Sequence, residues 1–362
     1  MKKKVLIVDD SAIVRRVLSK ILERLNLEID TAKDGEEAVE KALSNRYDLI
    51  TVDIEMPGKN GIQVIKEIME KNPTRILVIS AYTTEDAELT LEALDNGALG
   101  FITKPSKIGT SVQQIEKEII QKVEEILKVP RYKILMNLKK ASKLKNDFDQ
   151  IKRIDTTSYK PNEDTKYVLI GASTGGPRLI ETIVSTLPEN YPYPLCIVQH
   201  MPVNFTKKFA ERLNSLSKLN VVEASNGEEV VPGKVIIGKG GWHLHFARRS
   251  TDNVVICKLA PNTAGRFFVP SVDEMFFSAL KVIDPKQIMA VLLTGIGDDG
   301  ADGMVELRKR GAYTIAESEE TAIVYGMPKE AYLRGGAVKV LPFPKIVEEI
   351  LKFGTKNELQ RV

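Results

Sequence analysis

Two doubly wound parallel α/β domains, joined by a polar linker, are the fold class this sequence predicts, and three observations predict it. Short apolar runs alternate with helix-period segments from the start of the chain to about residue 127. The same alternation resumes at Tyr167 and continues to about residue 354. Between the two, Lys128–Lys166 carries 11 Lys and Arg against 5 Asp and Glu with few aromatics, a composition suited to a linker rather than a core. With 362 residues, 43% of them hydrophobic, the chain is long enough for two separate cores.

The first domain, 1–127, has strand-like runs at Val5–Val8, Leu49–Val52, Ile76–Ile79 and Gly100–Ile102. Ile115, Ile119, Ile120, Val123, Ile126 and Leu127 recur at helical spacing and predict a long amphipathic closing helix, which Pro130 ends. In the linker, 128–166, a short helix is expected around Ile134–Leu138. The second domain, 167–354, opens with a buried strand at Tyr167–Ile170 and a glycine-rich turn, GASTGGP (Gly171–Pro177), in which Pro177 suits the first turn of a helix. Further strands are expected at Pro194–Gln199 and Ile288–Leu293, and residues 355–362 form a tail.

Composition excludes several classes. The balance of 52 basic against 49 acidic residues gives a net charge of only +3, too little to make nucleic acid the main partner. The opening MKKKVLIVDD begins like an export signal, but its apolar run stops at Asp9 and Asp10 and is too short. No apolar stretch reaches membrane-spanning length, so no membrane insertion is expected. Cys196 and Cys257 lie in β-rich apolar runs and read as buried free thiols of a reducing compartment, which makes the expected location cytoplasmic.

In an open parallel sheet, functional residues gather where strands finish. Here the first strand ends in Asp9 and Asp10, a later one in Asp53, the next in Ser80, and the last leads through Phe101 to Lys104 and Pro105. The carboxylates make a hard oxygen site suited to Mg2+, the hydroxyl can bond a phosphate oxygen, and the ammonium can offset its charge. Taken singly, each acid reads more readily as a helix cap and Lys104 as a solvated charge. Taken together, LIVDDS, DIEMPGKNG (Asp53–Gly61), Ser80-Ala81 and KPS (Lys104–Ser106) resemble the receiver domain of two-component response regulators, which is flavodoxin-like. That resemblance implies Asp53 as phospho-acceptor, Asp9, Asp10 and Asp53 as Mg2+ ligands, and Ser80, Phe101 and Lys104 as the switch residues. It also implies a histidine kinase as phosphodonor.

In the second domain Ser173 sits within GASTGGP at a strand-to-helix bend, where free backbone N–H groups favour negative charge. A serine hydroxyl needs a base, and the chain has three histidines: His200, which closes the run Pro194–Gln199, and His243 and His245. A second glycine-rich turn, TGIGDDG (Thr294–Gly300), offers Asp298 and Asp299. GASTGGP by itself is open to three readings: an esterase elbow, a phosphate cradle, or an inert βα turn. The order serine, histidine, acid departs from the ordinary α/β-hydrolase order, and Gln199-His200 stands where a dinucleotide site expects an acid.

Together with VQHMP (Val198–Pro202), PSVDEMF (Pro270–Phe276), LLTGIGDDGADGM (Leu292–Met304) and VYGMP (Val324–Pro328), the turn resembles the chemotaxis receptor methylesterase and glutamine deamidase family. The likeness spans both domains and includes the receiver-first order. It implies a Rossmann-like methylesterase domain with Ser173 as nucleophile, His200 as base and then acid, and Asp299 as orienting acid. Thr174 and Ile296 fall at the oxyanion donors. The family often carries Met at the Ile296 position and Asn at the Asp298 position, and the choice of Asp299 over Asp298 rests on alignment.

The activity so implied is demethylation of receptor glutamates with release of methanol and deamidation of receptor glutamines, with no cofactor for the ester chemistry. Phosphorylation of the receiver is expected to relieve a block of the catalytic face. The alternatives from other classes are a phosphorylation-switched binding module and a transcriptional regulator. His243 is open to a substrate-groove role or a structural one beside Trp242, Arg266 and the PSVDEMF segment to contact with an acidic substrate, and Asp273 equally to the N-cap of the helix through Met275 and Phe276.

Overall fold

A computed structural model of the chain describes residues 2–81, 83–104, 112–134 and 166–353. They fall in two compact units, Met1–Ala141 and Ser142–Val362. Most of the basic stretch expected as a linker, and the tail 355–362, lie outside the described residues, as does most of the short helix expected around Ile134–Leu138. Residues 131–134 are helical.

The first unit alternates strands and helices: β1 (Lys4–Val8), α1 (Ala12–Glu23), β2 (Glu28–Ala32), α2 (Gly35–Ser44), β3 (Leu49–Asp53), α3 (Gly61–Lys71), β4 (Ile76–Ser80), α4 (Thr84–Asp95), β5 (Gly100–Thr103) and α5 (Val112–Lys128). The strands form one parallel sheet in the order β2-β1-β3-β4-β5. β1, β3 and β4 are continuous apolar runs because helices cover both faces. β2, EIDTA, is an edge strand with mixed exposure, which is why no apolar run marks it in the sequence. The order reverses between β1 and β3, so the loops after these two strands open a crevice at their carboxyl ends.

The second unit opens with β6 (Tyr167–Ala172), α6 (Gly176–Thr186), β7 (Leu195–Gln199), α7 (Phe205–Leu216), β8 (Asn220–Glu223) and β9 (Lys234–Ile237). An antiparallel hairpin, β10 (His243–Arg248) and β11 (Val255–Ala260), precedes α8 (Val272–Ala279) and β12 (Ile288–Leu292). The unit closes with α9 (Ala301–Lys309), β13 (Tyr313–Glu317), α10 (Met327–Leu333), β14 (Lys339–Leu341) and α11 (Phe343–Lys352). Seven parallel strands run in the order β14-β13-β12-β6-β7-β9-β8.

The hairpin adds an antiparallel element to the purely parallel pattern expected. Its burial is mixed along β10, with His243, Leu244 and Phe246 buried and Arg248 exposed, so the hairpin is only partly enclosed. Its Phe246 N–H donates to Ser278 Oγ of α8 at 2.8 Å, which ties the hairpin to that helix. Cys196 and Cys257 are free thiols buried in this core, and burial pushes the Cys257 thiol up to about 12. Here too the central strand marks the reversal: from β6 the chain steps to β7 on one side and later to β12 on the other. The loops after β6, β7 and β12 therefore share one sheet edge.

Candidate functional site

In the first unit that crevice is lined by carboxylates. Asp9 and Asp53 are buried and Asp10 is exposed, and their oxygens lie within 4.8 Å of one another. Lys104, just past β5, reaches Asp53 Oδ2 at 2.6 Å and Asp9 Oδ2 at 3.1 Å. Burial pushes the Asp53 carboxyl up to about 6, Lys104 pulls against that shift, and Asp9 and Asp10 add to it. For Lys104, burial disfavours the charge, but Asp53 and Asp9 outweigh it and hold the ammonium above its usual range. Three carboxylates against one ammonium leave an excess of negative charge on hard oxygen donors, a set that fits a divalent cation such as Mg2+.

Ser80 lies at the end of β4, fully buried, where its oxygen accepts a hydrogen bond from Thr90 Oγ1 at 2.8 Å. Phe101 is turned inward, and its carbonyl accepts from Lys122 Nζ at 2.6 Å. Pro105 and Ser106 of the KPS segment lie outside the described residues.

In the second unit, the register of β6 against β7 pairs Ala172 with Gln199, so the next residues on each chain, Ser173 and His200, leave the sheet side by side. The bend that carries Ser173 is built by glycine. Gly175 has φ +83°, which a side chain rarely adopts, and it is the N-cap of α6, with Pro177 in the first turn. Gly295, in the loop after β12, passes so close that a Cβ there would stand 2.8 Å from Ser173 Cβ and overlap Met327. Ser173 N–H donates to the Thr294 carbonyl at 2.9 Å, and Thr294 Oγ1 donates to the Thr174 carbonyl at 2.8 Å. Thr294 N–H is itself held by Glu317 Oε2 at 2.8 Å, a carboxylate with no solvent exposure at the end of β13. The two turns are thus tied to each other.

His200 Nε2–H donates to Asp299 Oδ2 at 2.7 Å. Asp299 is anchored on the start of α8: its Oδ1 accepts from Ser271 Oγ at 2.7 Å and Asp273 N–H at 3.1 Å, and its Oδ2 also accepts Val272 N–H at 2.7 Å. Burial would raise the Asp299 carboxyl, but the bonds from His200, Ser271 and Val272 outweigh it and hold it below the usual range, so it stays ionised. Asp298 points away, exposed, and pairs with Arg334 at 2.6 Å.

With Nε2 committed to Asp299, His200 Nδ1 is left buried without a hydrogen-bond partner. Among the described residues, Ser173 Oγ and the backbone N–H groups of Thr174 and Ile296 also lack hydrogen-bond partners. Ser173, Thr174 and His200 follow the paired strands β6 and β7, and Ile296 lies in the loop after β12, so these groups stand at one sheet edge.

The first turn of α8 holds what the sequence did not assign. Its N-cap is Ser271, which accepts Glu274 N–H at 3.3 Å, and not Asp273. Asp273 is two residues further in, buried, accepting Gly303 N–H at 2.8 Å; burial and the neighbouring Asp299 push its carboxyl up to about 7. His243 is buried behind this turn and does not line a groove: its Nδ1 accepts Ser271 N–H at 3.1 Å, leaving Nε2 to face Asn262 Oδ1 at 3.2 Å. Arg266 is occupied by Glu274 at 3.1 Å, and Glu274 also bonds His245. Phe268 stacks on the His200 ring, with centroids 4.0 Å apart and planes 11° apart. The PSVDEMF segment marked the right region, but no local pattern assigns Ser271 or Phe268 to His200 and its acid.

The CheB methylesterase family pattern matches residues 168–350, and the response regulator receiver domain pattern matches residues 5–116. The chain is 44% identical to protein-glutamate methylesterase/protein-glutamine glutaminase 2 of Carboxydothermus hydrogenoformans, over 97% of this chain and 99% of that protein. It is 42% identical to the protein-glutamate methylesterase/protein-glutamine glutaminase of Thermotoga maritima, over 96% of this chain and 98% of that protein. Among solved structures, the catalytic domain of the Thermotoga maritima CheB methylesterase is similar at 41% identity, covering 52% of this chain and 98% of that one, with a TM-score of 0.49.

Proposed function

Since this chain belongs to the CheB methylesterase family and carries a response regulator receiver domain ahead of the esterase, we propose that Ser173, His200 and Asp299 form its catalytic triad. The enzyme is a protein-glutamate methylesterase and protein-glutamine glutaminase of chemotactic adaptation. The observation that carries the assignment is the His200–Asp299 bond at 2.7 Å beside a buried, unpartnered Nδ1. A binding module or a transcriptional regulator has no need of that arrangement.

In this mechanism Ser173 Oγ attacks the side-chain carbonyl of a methylated receptor glutamate, and His200 Nδ1 takes the hydroxyl proton. Asp299 holds the ring and offsets the imidazolium charge that develops. The N–H groups of Thr174 and Ile296 receive the oxyanion, and their lack of other partners means that nothing is broken when it forms. Methanol leaves with the proton from Nδ1, and water, activated by the same nitrogen, frees the glutamate. On a glutamine amide the same steps release ammonia.

Asp53 is the phospho-acceptor, and Asp9, Asp10 and Asp53 would hold Mg2+, which would supply charge neutralisation for phosphoryl transfer from a chemotaxis histidine kinase. Lys104 and Ser80 contact the phosphoryl group, and Phe101 reports it, so that the receiver controls access to Ser173. The proposed place of action is the cytoplasm; no helix among the described residues is long and apolar enough to cross a membrane. Ser173→Ala is expected to abolish methanol release from methylated receptors while circular dichroism stays unchanged. Retained release would overturn the triad.

A further inference from the structure

We infer that Phe268 is a positioning residue that fixes the plane of the His200 imidazole, an inference that rests on His200 being the general base. The Nδ1 lone pair lies in the plane of the ring, so the ring's tilt decides whether that lone pair faces Ser173 Oγ. The bond to Asp299 restrains one atom, Nε2, and leaves the ring free to rock about that anchor. The terminal torsion of a histidine is broad and does not by itself set the plane.

Phe268 removes this freedom, because its ring lies nearly parallel to His200, 11° apart at a centroid distance of 4.0 Å. Phe268 is in turn held edge-on by Phe267, at 4.8 Å and 87°. Three residues later, Ser271 and Val272 grip the Asp299 carboxylate. The short segment from Phe267 to Val272 therefore holds the base twice, by its face through Phe268 and by its edge through Asp299. A substitution of Phe268 would loosen the first hold and leave the second in place.

The test compares Phe268→Leu, Phe268→Tyr and His200→Gln in the full-length protein. Leucine keeps apolar bulk without a ring, and kcat for methanol release is expected to fall on the order of tenfold to a hundredfold with KM little changed, the cost of a slightly misplaced reacting group. Phe268→Tyr, which keeps the ring, is expected to recover most of that loss. The stack also has a spectroscopic signature: in the wild type one of the three histidines gives ring C–H resonances shifted upfield by the phenyl ring current. That shift should be lost in Phe268→Leu and kept in Phe268→Tyr.

Equal losses in the leucine and tyrosine variants, or an unchanged kcat in Phe268→Leu, would overturn the positioning role. Should Phe268→Leu fail to fold, absence of the upfield signal in the wild type would overturn it, and its presence with retained turnover in Phe268→Tyr would support it. His200→Gln separates the two assignments. If it keeps turnover, the base assignment fails whatever Phe268 does; if it abolishes turnover while Phe268→Leu does not lower it, only the positioning role fails.

Discussion

His200 Nε2–H and Asp299 Oδ2 meet at 2.7 Å, joining residues 99 positions apart in the chain. The adjacent Asp298 carboxylate is 61% exposed and spends its charge on Arg334. Asp299→Asn is therefore expected to lower kcat for methanol release by about a thousandfold or more, since an amide there no longer offsets the imidazolium and can turn its NH2 toward Nε2. Asp298→Asn should stay within a few fold of wild type. Single-turnover assays on both variants decide the matter, and the reverse ranking would make Asp298 the acid.

Asp273 predicts a pH dependence of stability. Its carboxyl lies at about 7 in the folded protein against an ordinary value of 3.8. Between these values the folded state holds a proton that the unfolded state has lost, so stability falls as pH rises, by at most about 1.4 kcal/mol per pH unit. Above the folded value the penalty is complete. Asp273→Asn keeps an oxygen for the Gly303 N–H and removes the titration. Its melting temperature relative to wild type should therefore rise between about pH 4 and pH 7, and calorimetry showing a constant difference would sink the prediction.

Lys104 predicts a metal-dependent defect. Among the described residues it is the one ammonium facing the buried Asp9 and Asp53. Lys104→Met should destabilise the receiver by roughly 2–3 kcal/mol, at or below the usual range for breaking a buried ion pair because Lys104 keeps some contact with water. Millimolar Mg2+ should narrow the gap by neutralising the same carboxylates. Thermal melts with and without MgCl2 test this, and a gap that the cation leaves unchanged would argue against a shared site.

Much of this protein is legible from local pattern. The strands that line the two sites, such as LITVD and LCIVQ, are buried on both faces and so read as unbroken apolar runs. In an open parallel sheet, whatever follows such a run stands at the carboxyl edge, and that is where Asp9, Asp53, Ser173 and His200 lie. β2 and the hairpin of β10 and β11 escape that reading because their exposure is mixed.

The sequence by itself determined two α/β domains, the receiver ahead of the esterase, and the short set of residues able to do chemistry. Only the tertiary structure decided which of two neighbouring aspartates meets His200, that Ser271 rather than Asp273 caps α8 and grips that aspartate, and that His243 stands behind the turn. The stacking of Phe268 on His200 belongs with these. The physical reason is the range of the interactions involved. Strand and helix formation depends on residues a few positions apart, whereas each of these choices depends on loops brought together from distant parts of the chain, where one residue's step changes which side chain faces the site.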